Sequence, residues 1–250
     1  MDTDEDFFGR LAADLQEEPD LLLTVQRAVG YARALLRSDE ASVRVHRKAA
    51  LDLPPVVAAT SPRAEGLAQL SLTHAAPGTP ARETGPVAVD DVLLDDRWPD
   101  WCAAVSARGY RSALAVPLVA RDRDLGVLTL WAERPGAFRR HDDDAALAVL
   151  VRHVSVAVAD LLASHDLERA RATRTLVGQA QGILMERHGL DADTAFSVLR
   201  RHSQQGNLKL ADVAHQLVAT RTLPETPRRR PARSAVDPAR GSADGTPASA

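Results

Sequence analysis

The sequence predicts an α+β domain with an antiparallel sheet, linked by a long helix to a small three-helix all-α domain. Three observations carry that expectation. Apolar residues alternate with polar ones in short runs over the first two thirds of the chain, with helical spacing between them. Two β-rich runs, Ser112–Val119 and Leu125–Trp131, flank one short polar turn, as in a hairpin. After residue 165 the spacing is helical throughout, with two glycine-containing interruptions.

Taken in order, residues 1–18 are acidic and read as loose. From Pro19 a helix carries Leu21, Leu22, Val25, Val29, Ala32, Leu35 and Leu36 at spacings of three and four. Ala41, Val43 and Val45 then alternate with Ser42, Arg44 and His46, the pattern of a half-buried strand. Val56–Ala59 reads as a second strand, Ala64–Leu72 as a helix, APGTPARETG as a turn, and Pro86–Val89 as a strand. Asp95–Pro99 opens a helix that Arg108 and Gly109 stop. The hairpin follows, with the turn placed at ARDRD. A long helix starts near His141 and carries Leu147, Leu150, Val151, Val154, Val158, Leu161 and Leu162, then continues past His165 and Glu168 into Arg171. Its stripe fits packing on the sheet better than a long coiled coil, because His165 and Glu168 break the seam.

The order of elements over about Asp20–Leu162, with the phrases GPVAVDDVLLDDRWPDW, YRSALAVPLVARDRDLGVLTLWAE and FRRHDDDAAL, resembles the GAF family of sensor domains. The resemblance implies an input to this domain, a small molecule or a protein partner. The segment after the first strand is short, so any ligand pocket is expected to be small.

Three helices are expected from Leu167 onward. The first spans about Glu168–His188, with Leu176, Val177, Ala180, Ile183 and Leu184 on one face, and Gly189 stops it. Asp191 caps the second, whose stripe is Ala192, Ala195, Phe196 and Leu199; Gln204, Gln205 and Gly206 break it. Asn207 is read as the cap of the third, which buries Leu210, Val213, Ala214, Leu217 and Val218 and ends at Arg221 and Pro224. The phrases GQAQGILMERHGL, DADTAFSVLRRHSQQGN and LKLADVAHQLV make residues 166–224 very similar to the ANTAR family. That resemblance implies a domain that binds stem-loops in nascent mRNA leaders and prevents a terminator from forming, acting as a homodimer under an attached sensor. Ala180, Gly182, Ala195, Phe196 and Ala214 match the family's signature small and aromatic positions. Gln181 stands where a lysine is frequent and Ala211 where an arginine is frequent, which lowers the positive charge available to RNA.

The residues point the same way by themselves. Residues 1–165 hold 18 Lys+Arg against 25 Asp+Glu, residues 166–223 hold 8 against 6, and residues 224–250 hold 5 against 3, so positive charge gathers at the C-terminal end. Arg171 and Arg174 share a face of the first helix; Arg187, Arg200, Arg201 and Lys209 lie near the interhelical junctions. Phosphates need such cations. Gln179, Ser203, Gln204, Gln205 and Asn207 can hydrogen-bond bases splayed from a loop, although capping accounts equally well for Ser203 and Asn207; Gln181 is expected among the RNA-binding residues as well. Phe196 reads as core rather than as a stacking platform. Gly182 lies inside a helix, where glycine costs roughly 1 kcal/mol against alanine, so either a neighbouring helix or a ligand should approach it closely.

Other classes fit poorly. The single cysteine, Cys102, excludes an intrachain disulfide and reads as a small buried hydrophobe beside Trp101. Asp142–Asp144 read as acids at a helix start rather than a metal site. The histidines lack ligand spacing, and no phosphate-binding loop, dinucleotide glycine motif or nucleophile elbow is present, so no enzyme, metal or cofactor is expected. The N-terminus has no secretory h-region and no apolar run approaches the ~20 residues of a membrane helix, so a cytoplasmic protein is expected. The Pro/Arg/Ser/Ala-rich tail 225–250 is expected to be disordered. The alternative is a DNA-binding factor using residues 192–219 as a helix-turn-helix. Lys209, Ala211, Asp212, His215 and Gln216 would form its outward face, a poor surface for reading bases.

Overall fold

The structure, a computed structural model, describes residues 2–47, 54–70, 85–139 and 145–224. The chain divides into two compact units, Met1–Glu168 and Arg169–Ala250. The first holds helices α1 (Asp2–Glu17) and α2 (Leu21–Leu36), strands β1 (Glu40–Val45) and β2 (Val56–Ala59), and helix α3 (Pro62–Leu70). Strand β3 (Val87–Val89), helix α4 (Pro99–Ser106), strands β4 (Ser112–Ala120) and β5 (Arg123–Ala132), and the first part of helix α5 (Ala145–His188) complete it. The strands form one sheet in the order β2-β1-β5-β4-β3, with every neighbouring pair antiparallel.

Both faces of the sheet are covered. On one face Ala41, Val43, Val45, Leu114, Val116, Leu128 and Leu130 meet Val25, Val29 and Ala32 of α2 and Leu147, Leu150, Val154 and Val158 of α5. On the other, Ala113 and Trp131 pack with Ala64 and Leu67 of α3 and with Trp101, Cys102 and Val105 of α4. Trp131 lies 5.7 Å from Trp101 and 5.9 Å from Tyr110, ring centre to ring centre. This double cover changes the reading of β1 as half-buried: Ser42 and Arg44 are buried as well. Ser42 Oγ accepts the Trp131 indole N–H at 3.1 Å, and burial lowers the pKa of Arg44.

The acidic N-terminus is helical rather than loose. Leu11 and Leu15 are buried in the first core, the Phe7 ring meets Tyr31 edge-on at 5.2 Å, and Tyr31 Oη donates to Asp14 Oδ2 at 2.6 Å. The hairpin turn is tighter than the expected five residues. Ala120 pairs with Arg123, leaving Arg121 and Asp122 at φ +51° and +57°, the two left-handed residues of a type I′ turn. By length and composition alone α5 could cross a membrane, a property its Arg152 and Asp160 obscure in the sequence. Its Leu147, Leu150, Val154 and Val158 are buried in the core of the first unit. Asp142–Asp144, most of the expected turn APGTPARETG and the tail 225–250 lie outside the described residues.

Gly126 fixes how closely β5 approaches β1. Its φ is +148°, and a Cβ there would stand 1.9 Å from the Arg44 carbonyl oxygen. Gly126→Ala is therefore expected to cost more than about 3 kcal/mol, since backbone strain and overlap with a fixed carbonyl add. Chemical denaturation of the full chain measures this; an unchanged midpoint contradicts it.

Candidate nucleic-acid interface

The second unit combines the end of α5 with α6 (Ala192–Gly206) and α7 (Leu210–Thr220). Its core is Val177, Ala180 and Leu184 from α5, Ala195 and Leu199 from α6, and Val213, Ala214 and Leu217 from α7. Ala180, Ala195 and Ala214 are each fully buried. One small residue per helix lets three backbones approach around a core this thin.

The connections are built from capping chemistry. α5 ends at His188, and Gly189 takes φ +63°. Asp191 Oδ1 accepts the Thr194 amide at 2.7 Å and starts α6. α6 then runs through Gln204, Gln205 and Gly206, which were expected to break it. Asn207 does not cap α7; it is the left-handed C-cap of α6 at φ +50°, and Lys209 precedes α7. Asparagine serves at either kind of helix end, and two further residues separate Asn207 from α7, too many for an N-cap. Ser203 closes this turn twice. Its carbonyl accepts the Leu208 amide at 3.0 Å, and its hydroxyl donates to the Leu208 carbonyl at 2.7 Å.

The structure sorts the other candidate residues. Gln181 is half-buried, and its side-chain amide donates to the Ala192 carbonyl at 3.1 Å, holding the start of α6. Arg171, Arg174, Arg187, Arg200, Arg201 and Lys209 are all exposed. Every ion pair among the described residues lies in the first unit, so none of these six cations is neutralised. Arg187 Nη1 donates to the Arg221 carbonyl at 2.6 Å. Gln179, Gly182 and Arg187 are brought together on one groove with Ile183, Val218 and Arg221; Arg200, Arg201 and Lys209 lie off it. In the sequence Arg221 marks only a helix end; its place three residues beyond Val218, in line with the α7 stripe, was the available signal.

Two expectations change here. Phe196 is 38 % exposed rather than core, because Ala195 and Leu199 take the inward positions and Phe196, one residue on from Ala195, is turned about 100° to the flank. At Gly182 nothing beyond its own stretch of helix backbone lies within 4 Å of where a Cβ would stand. Packing within this chain therefore does not require glycine there.

The chemistry-bearing groups of the first unit are engaged structurally. Burial, and then the nearby Asp95 carboxylate, push the Cys102 thiol up to about 11, so it is no nucleophile at neutral pH. Asp91 holds Arg111 with two bonds, at 3.0 and 2.6 Å, and Asp90 holds Arg139 at 3.0 Å. No group of three metal-ligating side chains occurs among the described residues.

Two family models match the chain: GAF domain over residues 20–158 and ANTAR domain over residues 165–218. Among solved structures, the GAF domain of an Acinetobacter phosphoenolpyruvate-protein phosphotransferase is 16 % identical, with 66 % of this chain and 98 % of that chain covered and a TM-score of 0.45. The GAF domain of a phosphoenolpyruvate-protein phosphotransferase from Coxiella burnetii is 13 % identical, with 65 % and 96 % covered and a TM-score of 0.46. Free methionine-R-sulfoxide reductase from Neisseria meningitidis is 17 % identical, with 65 % and 91 % covered and a TM-score of 0.43. No curated protein matches.

The cap of α6 makes a pH prediction. The Thr194 amide, and next the Thr194 hydroxyl, hold the Asp191 carboxyl below the usual range. A depressed native pKa stabilises the fold above the unfolded value of about 3.9, and that contribution is lost as pH falls below it. The thermal midpoint of Asp191→Ala should lie below that of the wild type at neutral pH, and the gap should narrow below about pH 4. A gap independent of pH, measured by circular dichroism, contradicts an ionised cap.

Proposed function

The chain belongs to the GAF domain family and carries an ANTAR domain behind its GAF domain, and we propose from that premise that it is an RNA-binding regulator of transcription antitermination. GAF is a sensor domain and ANTAR an RNA-binding antitermination domain; both are regulatory rather than catalytic. On this reading the ANTAR domain grips stem-loops in nascent mRNA leaders and keeps a terminator from forming, while the GAF domain gates it in response to a small molecule or a protein partner. Acting on nascent transcripts, it works in the cytoplasm. A three-helix unit with so few buried residues gains from a second copy, so the working form is a homodimer.

The observation that carries this reading is the set of unneutralised cations in the ANTAR unit. Arg171, Arg174, Arg187, Arg200, Arg201 and Lys209 are exposed and free of ion pairs, whereas the cations of the first unit include many that are paired. Cations held in ion pairs must be released before they can bind phosphate; these six need no such release. Gln179 adds a neutral group for base edges. Gln181 and Ser203 support the reading less directly, since their side chains hold the fold. Against a DNA-reading α7, Asp212 and His215 are exposed on that helix and Ala211 offers nothing to a base edge.

Replacing Arg187, Arg200, Arg201 and Lys209 together by Ala should leave the protein folded and weaken its binding to a stem-loop RNA. The slope of log affinity against log salt should flatten by about 0.7 for each lost contact, the single-strand value. A folded variant with an unchanged slope rejects this surface, and wild type preferring duplex DNA in a gel shift rejects the RNA reading. Light scattering should give the mass of two chains; a monomer at high concentration, with and without RNA, contradicts the homodimer.

A further inference from the structure

We propose that the arginines just beyond α7, Arg228, Arg229, Arg230 and Arg233, add a second, sequence-independent grip on the phosphates of the RNA that the three-helix unit holds; this rests on the RNA-binding reading above. These residues lie beyond residue 218, where the ANTAR match ends. Residues 226–236 hold four arginines and no acid. Clustered cations hold a phosphate backbone by displacing its counterions, and each counterion released adds to affinity.

The structure fixes where this segment begins. Arg221 closes α7 in the left-handed conformation at φ +61°, its amide donating to the Leu217 carbonyl at 2.9 Å. The Thr222 amide donates to Thr220 Oγ1 at 3.2 Å. Leu223 packs on the core of the unit, and Pro224 is buried. The Arg221 carbonyl accepts from Arg187 Nη1 at 2.6 Å, which ties the chain to the end of α5. The segment therefore starts beside two exposed cations, Arg187 and Arg221. Arg228 is four residues from Pro224 and Arg233 is nine, so they reach at most about 14 and about 32 Å from that root. The phosphates next to one held at Arg187 or Arg221 fall inside that reach.

Charge decides what the segment meets. Residues 169–223 hold eight cations against four acids, the same sign as the segment itself. Its own unit therefore repels it, whereas RNA bound to that unit presents phosphates to both at once. The tether makes this second contact intramolecular, at an effective concentration on the order of millimolar. Residues 225–250 contain no aromatic, asparagine or glutamine side chain to stack on bases or read their edges. The added grip therefore raises the affinity for every RNA by one factor, and the choice among RNAs stays with the helices.

The test uses the full chain and two stem-loop RNAs that share a stem and differ in loop sequence, each titrated across a range of salt. Replacing Arg228, Arg229, Arg230 and Arg233 together by Ala should weaken binding to both RNAs by the same factor, about tenfold or more at low salt. The slope of log affinity against log salt should flatten by about 3, the sum for four phosphate contacts at roughly 0.7 to 0.9 each. The thermal midpoint should stay as in the wild type. Lys at the same four positions should restore both affinity and slope, since it keeps the charge. An unchanged slope in the folded Ala variant overturns the proposal, and so does a Lys variant no better than the Ala one. A changed ratio between the two RNAs also overturns it, because the segment would then read sequence. Tighter binding by the Ala variant overturns it too, and assigns the segment to an acidic protein surface that competes with RNA. Wild type that binds neither RNA fails at the earlier step, the RNA reading itself, and is recognised without any variant.

Discussion

Helix α5 has to serve two hydrophobic cores with one continuous backbone. Leu147, Leu150, Val154 and Val158 complete the core under the sheet, and Val177, Ala180 and Leu184 form one wall of the three-helix core. Neither core stands without its share of this helix. The α6–α7 pair would expose Ala195, Leu199, Val213, Ala214 and Leu217 if the end of α5 were removed. Residues 168–175, between the two stripes, are exposed throughout. There the helix rests on its own hydrogen bonds and on good formers such as Glu168, Arg169, Ala170, Arg171 and Ala172.

The parts of the fold legible in the sequence were those set by local rules. The β4–β5 hairpin is bounded by strand formers, Gly109 and Gly189 mark helix ends through positive φ, and Asp191 caps as its side chain allows. The parts that were not legible depend on contacts distant along the chain. α1 carries few apolar residues, and Leu11 and Leu15 count only once α2 lies against them. Arg44 and Ser42 look solvent-facing until helices α3 and α4 cover the second face of the sheet. Asn207 suits either kind of helix end, and its left-handed φ, with the hydrogen bond from the Leu208 amide to the Ser203 carbonyl, decides between them.

The candidate interface divides in the same way. That its cations are exposed followed from their spacing around apolar stripes. Which of them meet did not follow, because Arg187 and Arg221 are separated by two helices in sequence and joined by one hydrogen bond in space. Phe196 shows the limit of a stripe argument. A helix has one inward line, and when Ala195 occupies it the large neighbouring ring is left at the margin. Glycine needed geometry in both units, with opposite results: Gly126 is required by the backbone beside it, whereas Gly182 is required by nothing in the chain.

The state of Cys102 bears on how the molecule can be handled. It is the single cysteine of 250 residues, it is buried, and its thiol stays protonated well above neutral pH. Thiol-directed reagents at neutral pH therefore meet a nearly silent background. A cysteine introduced on an exposed position of α6 or α5 would be the one reactive handle on the chain. Dyes or spin labels could then be attached there without first removing the native residue and disturbing the packing beneath Trp101 and Trp131.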